Sequence, residues 1–167
     1  MWAKHIRDIL ILPFTVVCII PYGIYEGEKR FASEMLTLEI SGSIFFACGL
    51  LLFGYTVVLF AKTGKGTLAP WSPTQKLVVQ GPYRHCRNPM ITGVLFMLIG
   101  EGLFLHSPHV LVWAGLFFMI NSAYFILSEE PGLEKRFGDE YKRYEAQVPR
   151  WIPRIKPFDP RGHNVMP

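Results

Sequence analysis

Four blocks of apolar residues, each near the length of a bilayer's hydrocarbon core, constrain this chain more than any other feature. A helix needs about 20 mainly apolar residues to cross a membrane. Lipid offers no water to backbone polar groups, so each span must satisfy its own hydrogen bonds as a helix. The blocks run over 9–25, 38–61, 90–105 and 109–127. Pro13 and Pro21 interrupt the first, which predicts a kink or a frayed end there. The second is the cleanest. His106-Ser107-Pro108 alone separates the last two, which predicts a tight helical hairpin. The expected fold is all-α: one membrane domain over 1–167, multi-pass, with about four transmembrane helices and an amphipathic tail helix. Lys4 and Arg7 precede the first block as in a signal peptide, but no small-x-small cleavage site follows it, so a retained helix is expected.

Charge supplies the orientation. Lys62, Lys65, Lys76, Arg84 and Arg87 lie between the second and third blocks without a single acid. The first interblock loop carries Glu26, Glu28, Glu34 and Glu39 against Lys29 and Arg30. Basic residues accumulate again after Leu127. Positive-inside bias then places both termini and the 62–89 loop in the cytosol, and it accounts for the net charge of +4. Basic residues interleaved with spans do not form a nucleic-acid face, so no nucleic-acid partner is expected; membrane lipids are. Cys18, Cys48 and Cys86 have neither disulfide nor zinc spacing.

Beyond the fourth block the periodicity changes. Leu133, Phe137, Tyr141, Tyr144 and Val148 recur at helical spacing along a charged segment, predicting an amphipathic helix over 129–148. Gly138 weakens it by about 1 kcal/mol relative to Ala, and Pro149 and Pro153 stop it. The stripe fits a helix lying on lipid headgroups and equally a lid packed under the 62–89 loop.

Several residues carry possible chemistry. Gly81-Pro82 holds Tyr83 rigidly, either as an interfacial anchor or against a cofactor. Arg84, His85 and Arg87 suit lipid phosphates or another anionic group. Asn88-Pro89 is a good helix start, whose free amides also suit a carboxylate. Glu129-Glu130 falls where the fourth block ends. Two adjacent acids at a helix C-terminus oppose the macrodipole and each other, so something cationic or hydrogen-bond-donating is expected to compensate them. Glu101, flanked by Gly100 and Gly102 in the third block, is expected to reach the far surface or to pair with His106 or His109, the glycines serving close helix approach.

The run Leu77-Val78-Val79-Gln80-Gly81-Pro82-Tyr83-Arg84-His85-Cys86-Arg87-Asn88-Pro89-Met90 resembles a family signature. So does the segment from Glu129-Glu130-Pro131-Gly132 to Tyr144, with Val148-Pro149-Arg150 after it. They are similar to the integral-membrane methyltransferases of the isoprenylcysteine carboxyl methyltransferase and phospholipid methyltransferase group. The resemblance implies S-adenosylmethionine as methyl donor and a lipophilic acceptor arriving from the bilayer. Carried over by motif position, it implies cofactor contacts at Gln75, Lys76, Leu77, Val78, Tyr83, Asn88, Pro89, Met90, Ile91, Glu129 and Glu130.

The chain departs from the pattern in two places. Carboxyl methyltransferases of the group usually read Arg-His-Pro-x-Tyr where this chain has Arg87-Asn88-Pro89-Met90-Ile91. Eukaryotic members carry a substrate-contacting Arg at the position of Phe125, so an amine, thiol or uncharged lipid acceptor gains over a carboxylate. A phospholipid amine N-methyltransferase, a membrane NADPH-dependent sterol-type reductase and a non-catalytic relative are the alternatives.

Overall fold

The computed structural model describes residues 13–27, 36–63 and 77–160. Their regular elements are all helices, with no strand among the described residues. A π-helical turn, Thr15–Ile19, leads into α1 (Ile20–Gly27). Next come α2 (Leu36–Thr63), a 3-10 turn (Gly81–Arg84) and α3 (Pro89–Phe104). Then α4 (Pro108–Tyr124) runs through a second π-helical turn, Phe125–Glu129, into α5 (Glu130–Phe137). Last is α6 (Asp139–Gln147).

Among the described residues, two helices are long and apolar enough to cross a membrane: Leu36–Leu59 and the continuous Pro108–Phe137. Pro89–Phe104 is apolar but shorter. Neither long helix is a covered core element, for Leu51 is 74% and Leu127 78% exposed. Contiguous apolar surface of this kind is a contact face, and lipid fits it.

Both π turns have the same physical cause. Each stands just before a proline, Pro21 or Pro131, that lacks the N–H a helix needs. The widened turn shifts the bonding by one residue: Ile20 N–H donates to the Thr15 carbonyl and Glu130 N–H to that of Phe125. Pro21 cannot serve the Val16 carbonyl, and Trp113 Nε1 donates to it instead at 3.2 Å. The chain thus passes both prolines as helix. The helix does not stop at the acids, as the sequence reading expected. It continues through Glu129 and Glu130 and breaks at Gly138, whose φ is +52°. The expected single tail helix over 129–148 is therefore two helices, α5 and α6, the first a direct extension of α4.

The antiparallel contact of α2 with α3 is made backbone to backbone. A Cβ at Gly49 would lie 2.6 Å from the Gly93 carbonyl oxygen, and one at Gly100 2.5 Å from the Phe46 nitrogen. Gly42, Gly49 and fully buried Thr56 recur every seven residues on α2, opposite Gly93 and Gly100 on α3. A strict period of seven keeps one seam facing its partner, and small residues let the helices approach. Around the seam, Val17, Val94, Met97, Leu98, Ala114 and Phe117 form the core between α3, α4 and the N-terminal helix.

The expected hairpin forms as a 105–107 turn. Ser107 N–H donates to the Gly102 carbonyl and His106 N–H to that of Leu103, while His106 takes φ +50°. This is a Schellman stop with His in the position glycine usually fills. Ser107 Oγ then caps α4 by accepting from Val110 N–H at 3.2 Å. Gly102 makes room for Leu111 across the turn. Glu101 Oε2 and His106 Nε2 are both buried and without a partner among the described residues, so the expected Glu101–His106 pairing does not form through those atoms.

Candidate functional site

The site lies where the turn before α3, the α4–α5 junction and the segment after α6 meet. Three backbone bonds tie the last segment to the turn. Arg87 N–H donates to the Pro149 carbonyl at 3.0 Å, Arg154 N–H to that of His85 at 2.9 Å, and Phe158 N–H to that of Arg84 at 2.9 Å. His85 Nδ1 donates to the Arg154 carbonyl at 2.7 Å. Tyr144 Oη donates to the Tyr83 carbonyl at 2.6 Å. The apolar stripe packs inward: Tyr141, Tyr144 and Val148 are buried with Val79 and Phe158, flanked by Leu77, Leu133 and Phe137. Of the two arrangements open to that stripe, packing under the turn segment is the one adopted.

The two adjacent acids have different surroundings. Glu130 is buried, and Arg150 grips it with two parallel bonds of 2.7 Å, Nε to Oε1 and Nη2 to Oε2. Arg87 Nη1 adds a contact of 3.0 Å to Oε1 and also reaches Glu145 at 2.7 Å and Tyr141 Oη at 3.1 Å. The compensation expected for the acidic pair is thus internal at Glu130 and comes from arginines. Glu129, one residue earlier in the π turn, interacts with the Tyr124 hydroxyl and with Arg136. The Glu129 charge is felt by buried Tyr83, whose hydroxyl is pushed well above its ordinary value, first by burial and then by that charge. Tyr83 is therefore a neutral phenol.

Asn88 occupies the N-cap of α3 with Pro89 behind it, yet its side chain makes no capping bond. Asn88 is 9% exposed, and its Nδ2 is buried without a partner among the described residues, as is Arg87 Nε. A buried donor without a partner is costly, about 1–3 kcal/mol, and departures from local rules gather at functional sites. Val78 and Pro89 are buried, and Leu77, Met90 and Ile91 partly so.

The structure thus brings Tyr83 within electrostatic reach of Glu129 and ties Glu130 to Arg87, the neighbour of Asn88, while Leu77 and Val79 pack against the tail. Gln75 and Lys76, with residues 64–74 of the 62–89 loop, lie outside the described residues. Arg84, His85 and Arg87 are not turned to lipid phosphate: they bond tail carbonyls and acids. Sequence reasoning missed the roles of Arg150, Tyr144 and Glu145. The basic residue directly after the apolar stripe was the available signal for Arg150. Cys86 is buried, its Sγ contacting the Arg150 carbonyl at 3.2 Å, and burial pushes its thiol up against opposing hydrogen bonds. At Phe125 the ring packs edge-on to Trp151, centroids 5.8 Å apart, and Trp151 also meets Phe118 at 5.1 Å.

The sequence matches the phospholipid methyltransferase family over residues 38–140, more than half of the chain, and it belongs to that family. Among individual relatives, it is 37% identical over 65 residues to an uncharacterized protein of Haemophilus influenzae, covering 38% of this chain and all of that protein. It is also 34% identical over 91 residues to the protein-S-isoprenylcysteine O-methyltransferases of Mus musculus and Rattus norvegicus. That alignment takes in 51% of this chain but only 30% of either mammalian enzyme. No solved structure matches the chain.

Proposed function

We propose that this protein is a multi-pass membrane enzyme that moves a methyl group from S-adenosylmethionine to a lipophilic acceptor. Asn88 Nδ2, buried inside the family's motif, carries the reading, because it is a donor for which the described residues provide no acceptor. The surrounding residues fit a nucleoside–amino acid ligand. Glu129 offers a carboxylate for hydroxyl or ammonium hydrogens. Asn88 offers an N–H donor. Leu77, Val78, Pro89, Met90 and Ile91 offer apolar walls, and Tyr83 a neutral ring. When bound, the cofactor supplies a methyl group already activated on a sulfonium.

The chain's own contribution is then positioning and exclusion of water. Glu129 and Asn88 orient the donor. The tail, tied to the turn by its backbone bonds, closes the site on the aqueous side. Glu130 stands behind this arrangement, its oxygens taken by Arg150 and Arg87, and keeps the acid beside it in register. If Gln75 and Lys76 contact the cofactor as the family resemblance implies, they do so from the loop outside the described residues.

The remaining topology is part of the proposal: four spans, both termini and the site on the cytosolic side, and an acceptor entering from the bilayer. Aromatic rings around Phe125, in place of a guanidinium, favour an amine, thiol or uncharged lipid head over a carboxylate. The test is calorimetric titration of the detergent-purified protein with S-adenosylhomocysteine, for wild type, Glu129→Ala and Asn88→Ala. Micromolar binding by the wild type, weakened at least tenfold (about 1.4 kcal/mol) in folded variants, is expected. No binding by a folded wild type overturns the reading and favours the reductase or non-catalytic alternatives.

A further inference from the structure

The segment after α6 holds two highly exposed large hydrophobic side chains. Ile152 is 80% and Ile155 96% exposed, on a loop without regular structure. An isolated exposed Ile is ordinary, but these two have company. Trp151, between them and the clamp residue Arg150, is wedged against Phe118 and Phe125 on the long apolar helix. Phe118 lies well inside that helix, ten residues from its start at Pro108, so the loop is held against the flank of a candidate span rather than beyond its end. The neighbouring surface of the same helix is uncovered and apolar: Met119 is 61% and Ile126 48% exposed. Exposed Lys156 follows Ile155 directly, and Arg154 precedes it. An apolar tip flanked by cations matches the boundary between acyl chains and phosphates.

We propose that the Trp151–Lys156 loop is embedded in the bilayer, with Ile152 and Ile155 among the acyl chains and Lys156 at the headgroup phosphates. The proposal rests on reading Pro108–Phe137 as a membrane span. It departs from a tail lying wholly in the cytosol. Trp151 anchors the loop in depth, and the Arg150–Glu130 pair fixes where the loop leaves the folded part. The loop then forms a lipid-side edge of the site, next to the Phe125 position.

A nitroxide placed at Ile155→Cys tests this, in the full chain on a Cys18→Ala, Cys48→Ala background that keeps buried Cys86. The protein is reconstituted in phosphatidylcholine vesicles containing phosphatidylglycerol. Collision with dissolved oxygen and with a water-soluble nickel chelate is read by power-saturation spectroscopy. Met119→Cys serves as lipid reference and Glu140→Cys as aqueous reference. The expected result is an oxygen-to-nickel ratio at residue 155 close to that at 119 and well above that at 140. A ratio at 155 equal to that at 140, with 119 still in lipid, overturns the loop proposal alone. Aqueous behaviour at 119 as well overturns the membrane reading beneath it. Spin–spin broadening at 155, with both probes excluded, means a second copy of the chain covers the loop, and this too overturns the proposal.

Discussion

Arg87 shows how one residue can join three parts of the protein. Its backbone N–H bonds the tail at Pro149, while its Nη1 meets Glu130 on α5 and Glu145 and Tyr141 on α6. Its side chain is 10% exposed and that of Glu130 11%. Removing one partner of a buried pair leaves the other charge uncompensated, a loss of roughly 3–5 kcal/mol. Each single arginine variant leaves the other arginine on Glu130, and Arg150 is itself 28% exposed. Arg87→Ala and Arg150→Ala are therefore each expected to destabilise the protein by about 2–3 kcal/mol, at or below the lower end of that range. Glu145 is 36% exposed, and screening reduces such a contact to about 1 kcal/mol or less. Thermal unfolding in detergent, followed by intrinsic fluorescence, should rank Glu145→Ala far closer to wild type than either arginine variant. Equal losses for all three would deny the buried clamp. These roles were only half legible in the sequence. The motif put Arg87, Glu130 and Arg150 on view, but which acid an arginine meets is decided by folding across 20 or more positions. Glu129 and Glu130 are adjacent in sequence and have different partners because one helical step rotates a side chain by about 100°.

At the scale of elements, the glycine seam and the π turns are the informative features. The Gly49 position faces backbone across the α2–α3 contact, which cannot yield as a flexible side chain would. Gly54, five residues on in the same helix, has open space around its missing Cβ. Gly49→Val is expected to abolish a folded, monodisperse species on gel filtration. Gly54→Ala is expected to be tolerated and to stabilise by up to about 1 kcal/mol through helix propensity. Similar behaviour of the two variants would refute the seam. The existence of α2, α3, α4 and the hairpin was readable from apolar run length and from His106-Ser107-Pro108. The seam was not, since a glycine in an apolar run does not announce which helix it meets. The end of this helix was misplaced for a physical reason: the apolar run stops at Leu127, but apolar character marks burial or lipid contact rather than where helical bonding ends, even with Pro131 lacking its N–H just beyond. Here the π turn absorbs the missing N–H, and the helix continues to Gly138.

For the whole molecule, three thiols report on two kinds of burial. Cys86 is enclosed by the tail, and its raised pKa leaves little thiolate near neutral pH. Because the folded pKa is raised, thiolate forms only as pH climbs beyond the ordinary cysteine range, so alkylation should lag accordingly. Cys18 and Cys48 are uncovered by protein, on helices whose outer surface is apolar. In proteoliposomes at pH 7.5, a membrane-impermeant maleimide is thus expected to label none of the three within minutes, and all three once detergent denatures the chain. Labelling of Cys86 in the native state would show that the tail does not hold the site closed.

By itself the sequence determined the class of the fold, because the length of an apolar run and the position of turn residues are local properties that a membrane or a hairpin reads directly. It also carried the family motifs, and with them most candidate site residues. Tertiary structure alone decided which acid the two arginines clamp and which meets Tyr124 and Arg136 instead, whether the tail stripe meets lipid or the turn segment, and which side chain carries an amide unpartnered among the described residues. Those outcomes depend on contacts between residues far apart in the chain, and no local pattern encodes a distance across space.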